Sequence, residues 1–137
     1  MVNKEVIRKR LNKLDEYLAI LAGLQKYTRE EFLENPERYG SAERFLQLAV
    51  EALIDIGNHV IADLGLGEVD SYADIPSLLA GEGHVEESAK EKWIQMIGFR
   101  NILVHEYLDI DREIVYEVLR ERLGDFGELR KAFGRFL

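Results

Sequence analysis

Three long stretches of this 137-residue chain repeat their apolar residues at intervals of three and four, and no stretch alternates them at two. That spacing puts apolar side chains on one flank of a helix, whereas a half-buried strand needs alternation. The expected class is therefore all-α. Residues 4 to about 26 carry Val6, Ile7, Leu11, Leu14, Leu18, Leu21 and Leu24 at helical spacing, with Lys9, Arg10, Lys13 and Glu16 opposite. Residues 37 to 64 carry Phe45, Leu46, Ala49, Val50, Leu53, Ile54, Val60, Ile61 and Leu64, and residues 85 to about 107 form the third long helix. Helices of this length joined by short links favour an antiparallel up-and-down bundle.

Local signals add short helices and their limits. Thr28-Arg29-Glu30-Glu31 has the capping-box pattern, in which the first hydroxyl and the last carboxylate each satisfy a free backbone N–H. Asn35-Pro36 separates that turn of helix from the next element, and Gly65 and Gly67 mark a helix end at which left-handed backbone is needed. A short helix is expected over Ser71 to Ala80, stopped by Gly81-Glu82-Gly83. Asp111 is placed to cap a helix running to Leu123, and Asp125-Phe126-Gly127-Glu128 to open a last one carrying Leu129, Phe133 and Phe136. No repeat, low-complexity tract or linker divides the chain, so residues 1–137 are expected to form one domain.

Composition excludes several function classes. With no cysteine, there is neither a disulfide framework nor a thiolate nucleophile or ligand. A formal net charge of -8 argues against a broad electrostatic footprint on duplex DNA, so any nucleic-acid site must be local. The N-terminus leads into a charged helical pattern rather than an apolar signal core, and no apolar run suggests a bilayer span; a cytoplasmic protein without membrane contact is expected.

The unusual stretch is Gly98-Phe99-Arg100-Asn101-Ile102-Leu103-Val104-His105-Glu106-Tyr107. At about 100° per residue, Arg100 falls on the arc of Trp93, Met96, Ile97, Leu103, Val104 and Tyr107, where a permanent charge needs a reason. Phe99 and Ile102 cover another side, leaving little of this helix free to meet water. A helix apolar almost all round needs more cover than one bundle gives, which points to a homodimer.

Arg100 and His105 have the chemistry for metal-independent RNA cleavage by the neighbouring 2′-hydroxyl. An imidazole takes or gives the proton, and a guanidinium holds the phosphate oxygens while negative charge builds on them. Asn101 can orient the phosphate or the imidazole, and Tyr107 adds a hydroxyl nearby. The alternative is a charged residue and a histidine paired locally with Glu106 or Asp109. On one continuous helix Arg100 and His105 point roughly 140° apart. Either the helix breaks, as Gly98 would permit, or two subunits join their motifs in one cleft; the second also supplies two histidines.

Other polar groups have plainer readings. His59, with Asp55 and Asp63 four positions to either side, is expected to be a paired helix histidine, and the ligand spacing of a metal site is missing. His84 lies in a loop and carries no signal. Arg120, Arg122, Arg130, Lys131 and Arg135 make the C-terminal region locally positive, suited to steering RNA or simply to solvation.

Phe99 to Tyr107 closely resembles the Arg-x4-His-x-Tyr motif of HepT-like proteins in the HEPN superfamily. Ala52-Leu53-Ile54-Asp55-Ile56-Gly57-Asn58-His59-Val60-Ile61 resembles the family's second helix, and the segment from Ser71-Tyr72-Ala73-Asp74 to Gly83 its intervening part. The likeness covers about residues 42 to 112. It implies a helical bundle, a homodimer and the toxin half of a toxin–antitoxin pair acting as a metal-independent ribonuclease without a cofactor. Arg100 and His105 would be its catalytic pair and Asn101 its supporting residue. The implied partner is a minimal nucleotidyltransferase antitoxin that transfers AMP to the motif tyrosine, here Tyr107. A noncatalytic helical scaffold docking on such a partner is the competing expectation.

Overall fold

The computed structural model describes all 137 residues, Met1 to Leu137. It is an all-α bundle of seven helices: α1 (Lys4–Leu24), α2 (Arg29–Glu34), α3 (Pro36–Leu64), α4 (Asp74–Gly81), α5 (Glu87–His105), α6 (Arg112–Glu121) and α7 (Leu123–Gly134). Helix α3 is the axis, packed against each of the others, most extensively against α1. The expected caps form. The Thr28 side chain accepts from Glu31 N–H while the Glu31 carboxylate accepts from Thr28 N–H. Asn35 ends α2 and caps α3, with Pro36 at its first turn, where no N–H is required. Gly65 stands at φ 62°, and Leu66 N–H reaches back to Ile61 C=O at 3.0 Å, so the left-handed glycine closes α3 as a Schellman turn does.

One apolar core runs through the bundle. Ile7, Leu11, Leu14 and Leu21 of α1 meet Leu46, Val50, Leu53 and Val60 of α3, and Phe126, Leu129 and Phe133 of α7 close the same cluster. Trp93 of α5 is fully buried, with its ring edge against Phe133 at 5.6 Å between centroids. Gly57 lets α3, α4 and α5 converge. A Cβ there would lie 2.5 Å from Ile75 Cγ2 and 2.9 Å from the Trp93 ring, closer than atoms tolerate.

Four local expectations change. The short helix begins at Asp74 rather than Ser71, because the Asp74 carboxylate turns back to accept from Asp70 and Ser71 N–H, each at 3.0 Å. Asp125 to Glu128 lies inside α7 rather than capping it: α6 gives way to α7 at Arg122, whose backbone stays in the right-handed helical region. Helix α3 is long and apolar enough to cross a membrane by length and composition, which the sequence reading did not allow for. Its apolar side is the bundle core, and Glu43, Glu51 and Asp55 along it pair with Arg112, Arg100 and Arg10 of neighbouring helices.

The fourth change concerns α5. Its flanks are taken by α3, α4 and α7 within one chain, and Phe99 packs against the shared core. Glu91, Gln95, Gly98, Asn101, Ile102 and His105 form an exposed stripe in which Ile102 is the only large apolar residue. The surplus of apolar surface thus lies in Ile102 near the end of the helix and in Tyr107 and Leu108 just beyond it, with Ile114 exposed on α6.

Candidate active site

Helix α5 runs unbroken through Gly98 to His105, which removes the option of a helix break between Arg100 and His105. The two side chains leave on different sides, as the helical angle requires. Arg100 turns toward α3, its side chain 15% exposed. Its Nε donates to Glu51 Oε2 at 3.1 Å, and its Nη1 to Asn101 Oδ1 at 3.1 Å. Gln47 Nε2 donates to the same Glu51 oxygen at 2.9 Å, so the carboxylate that fixes Arg100 is itself fixed. The guanidinium also stands 5.4 Å from the Tyr72 ring centroid. Nη2 and the second N–H of Nη1 make no bond within the chain.

His105 occupies the last turn of α5 and is exposed. Tyr107 is not on the helix. Glu106 caps α5 at φ −119° and ψ 36°, and Asp109 N–H returns to Glu106 C=O at 3.0 Å, so Tyr107 sits in a turn, 65% exposed. It therefore leaves the arc of Arg100 and faces solvent.

A cleft of about 270 Å³ opens beside Arg100, between α3 and the segment that leads into α4. Tyr72, Asn58 and Glu51 line it, and neither His105 nor Tyr107 reaches it. Sequence reasoning missed Glu51 and Tyr72. The signal for Glu51 was the row Glu43, Gln47, Glu51, Asp55, polar at every fourth position of an apolar helix; no pattern marked Tyr72.

The remaining candidates are structural. His59 Nε2 lies 3.6 Å from Asp55, while Asp63 turns away to accept from Asn3 N–H at 3.0 Å. No three His, Cys, Asp or Glu side chains converge as metal ligands. The C-terminal basic residues are largely engaged: Arg130 grips Asp15 with two bonds of 3.0 Å, Arg120 donates to Gln25 C=O, and Arg122 pairs with Asp125.

The bundle thus half-buries an arginine beside a carboxylate and exposes a histidine five residues later in the same helix. The sequence matches the family described as ribonuclease HepT-like over residues 7–133, and the chain belongs to that family. Among its relatives, the mRNA nuclease HepT of Shewanella oneidensis is 37% identical over 81 residues, 59% of this chain and 61% of that protein. The chain thus matches less than two-thirds of that relative's length. The tRNA nuclease HepT of Aphanizomenon flos-aquae is 33% identical over 113 residues, 81% of this chain and 76% of that one. Among solved structures, the tri-AMPylated HEPN toxin of Shewanella oneidensis, in complex with its MNT antitoxin, superposes with a TM-score of 0.88 at 25% identity, covering 95% of this chain and 97% of that one.

Proposed function

We propose that residues 1–137 form one HEPN-type domain that acts in the cytoplasm as the toxin of a toxin–antitoxin pair, an endoribonuclease whose site is assembled in a homodimer cleft. The observation that carries this reading is the divergence of Arg100 and His105 on an unbroken helix, with the guanidinium held toward α3 and the imidazole free. One chain offers a phosphate clamp and a proton carrier that cannot meet on the same phosphate; two chains supply both to one cleft. The exposed Ile102, Tyr107 and Leu108, within three residues of His105 along the chain, are the apolar surface a second copy would cover.

In this cleft the Nη edge of Arg100, steadied by Asn101, holds the non-bridging oxygens of an RNA phosphate. One His105 accepts the proton of the 2′-hydroxyl as its oxygen bonds to phosphorus. The bond to the 5′-oxygen breaks, and the partner subunit's His105, protonated, donates to that leaving oxygen. The products are a 2′,3′-cyclic phosphate and a free 5′-hydroxyl, with every proton accounted for and no metal required by the chemistry.

A minimal nucleotidyltransferase is the partner this reading assigns, with Tyr107 as AMP acceptor on an accessible turn. A bound AMP would add negative charge beside the phosphate site and obstruct it. Two measurements test the function. Purified protein should cut RNA to cyclic-phosphate ends and arrest growth on expression, with both effects lost in Arg100→Ala and His105→Ala variants that stay folded. Co-expression with the nucleotidyltransferase should place the mass of AMP on Tyr107. Intact RNA with wild-type protein, and identical cells with wild type and variants, would leave the noncatalytic scaffold as the better reading.

A further inference from the structure

We propose that the cleft beside Arg100 is a nucleobase subsite, selective for a base that bears an exocyclic amino group. The proposal deepens the nuclease reading, resting on it for the phosphate that brings the base to Arg100. Ile54, Ile75 and Val69 give the cleft an apolar lining, and the Tyr72 ring, 46% exposed, forms a flat wall next to the guanidinium. Aromatic and guanidinium planes together are what a single-stranded base stacks on, and stacking is indifferent to sequence. A neutral ligand is required, because Glu51 and Asp55 at the rim repel a second phosphate.

Selectivity comes from the free hydrogen-bonding groups. Gln47 and Arg100 both donate to Glu51 Oε2, which leaves Oε1 without a donor. Asp55 is already engaged by Arg10 and faces His59. The exposed Asn58 amide makes no hydrogen bond within the chain. The open positions are thus a carboxylate oxygen, which only accepts, and an amide, which does both. Adenine, cytosine and guanine each offer an amino group to that oxygen. Uracil flanks its single N–H with two carbonyls, which would face the carboxylate unfavourably. Because Arg100 lines this cleft and its Nη2 makes no bond within the chain, a phosphate held by it would bring the base of an adjoining nucleotide within reach of the cleft.

The test uses full-length protein and short 2′-O-methyl oligonucleotides, which lack the attacking hydroxyl, varied one base at a time and followed by fluorescence anisotropy. Amino-bearing bases at one position should bind about tenfold more tightly than uracil there. Tyr72→Ala should weaken binding of every base by about tenfold, while Tyr72→Phe keeps the affinity. Glu51→Gln, which keeps an oxygen for Arg100 and puts an amide N–H where Oε1 stood, should level the preference; Asn58→Ala, at an exposed site, should weaken amino-bearing bases and uracil alike. Equal binding of uracil at every position, or variants that bind as wild type does, would overturn the subsite. Matching cleavable RNAs run in parallel separate the two readings. Base preference without cleavage removes the nuclease and keeps the subsite, cleavage without base preference does the reverse, and neither binding nor cleavage removes both.

Discussion

Glu51 Oε2 and Arg100 Nε meet at 3.1 Å between α3 and α5, and that contact decides which edge of the guanidinium faces outward. Spending Nε on the carboxylate orients the Nη pair, of which Nη1 also bonds Asn101 and Nη2 stays free. Toward the phosphate, the glutamate is thus a positioning residue that acts through Arg100. Glu51→Gln keeps an acceptor at the same place and should retain cleavage within a few-fold. Glu51→Ala leaves the guanidinium without its ionic partner and free to rotate, and should lower kcat/KM by roughly tenfold or more. Single-turnover cleavage by the two variants checks this, and equal losses in both would mean that charge rather than orientation matters.

Gly57 holds the second relationship that shapes the site. An alanine Cβ there would press on Ile75 Cγ2 at 2.5 Å and the Trp93 ring at 2.9 Å, and Ile75 is itself part of the cleft wall. Forcing them apart should cost about 1–3 kcal/mol, against a helix-propensity gain for alanine of at most about 1 kcal/mol. Gly57→Ala should therefore lower Tm, by roughly 2–8 °C, in a thermal melt followed by circular dichroism. An unchanged or higher Tm would show that the contact between the three helices is looser than drawn.

Much of this was legible in the sequence, for reasons that differ by feature. The long helices and the Thr28, Asn35 and Gly65 boundaries were, because apolar period and caps are local properties. The Asp125 to Glu128 pattern misled because a capping box works only where the preceding backbone is extended, and Arg122 to Leu123 stays helical under the packing of Phe126 and Leu129. Tyr107 was placed on the helix because its spacing from Arg100 continues the arc. What ends α5 is the turn closed by Asp109 N–H on Glu106 C=O, which leaves no period to read. Arg100 was visible as an anomaly, but its partner Glu51 is 49 residues away, and only the packing of α5 on α3 brings them together.

Asp74 links the Tyr72 turn to pH. Backbone N–H groups of Ser71 and Asp70 donate to its carboxylate and hold its pKa below the ordinary 3.8. A carboxyl group whose pKa is depressed by folding contributes stability above its unfolded value and loses it as pH falls through the folded one. The turn should therefore be intact at neutral pH and loosen only below about 4. Amide exchange at Asp70 and Ser71, normalised for the intrinsic rate, should accelerate over that range. In Asp74→Asn it should be faster already at pH 7, since a neutral amide accepts these bonds more weakly. Protection that is independent of pH and substitution would mean that packing of Ile75 and Leu79, not the carboxylate, holds the turn.

The composite cleft makes the strongest demand on the divergence of Arg100 and His105. Arg100→Ala and His105→Ala homodimers each lack one kind of group entirely, so each should be inactive. If the two are unfolded together in equal amounts and refolded, roughly half of the dimers combine one chain of each kind. Such a mixed dimer keeps one Arg100 and one His105, on different chains. It can join them only if the cleft is built across the interface. With its second His105 missing, such a dimer must use water for one of the two proton transfers, so cleavage by the mixture should stay far below wild type yet rise above that of either parent, with light scattering reporting a dimer throughout. A mixture no more active than its parents would mean that clamp and proton carrier must come from the same chain or that both copies of His105 are indispensable; a triple mixture with wild type separates these. A clean monomer at micromolar concentration would end the composite site altogether, because α5 is unbroken and one chain cannot turn its two motif residues onto one phosphate.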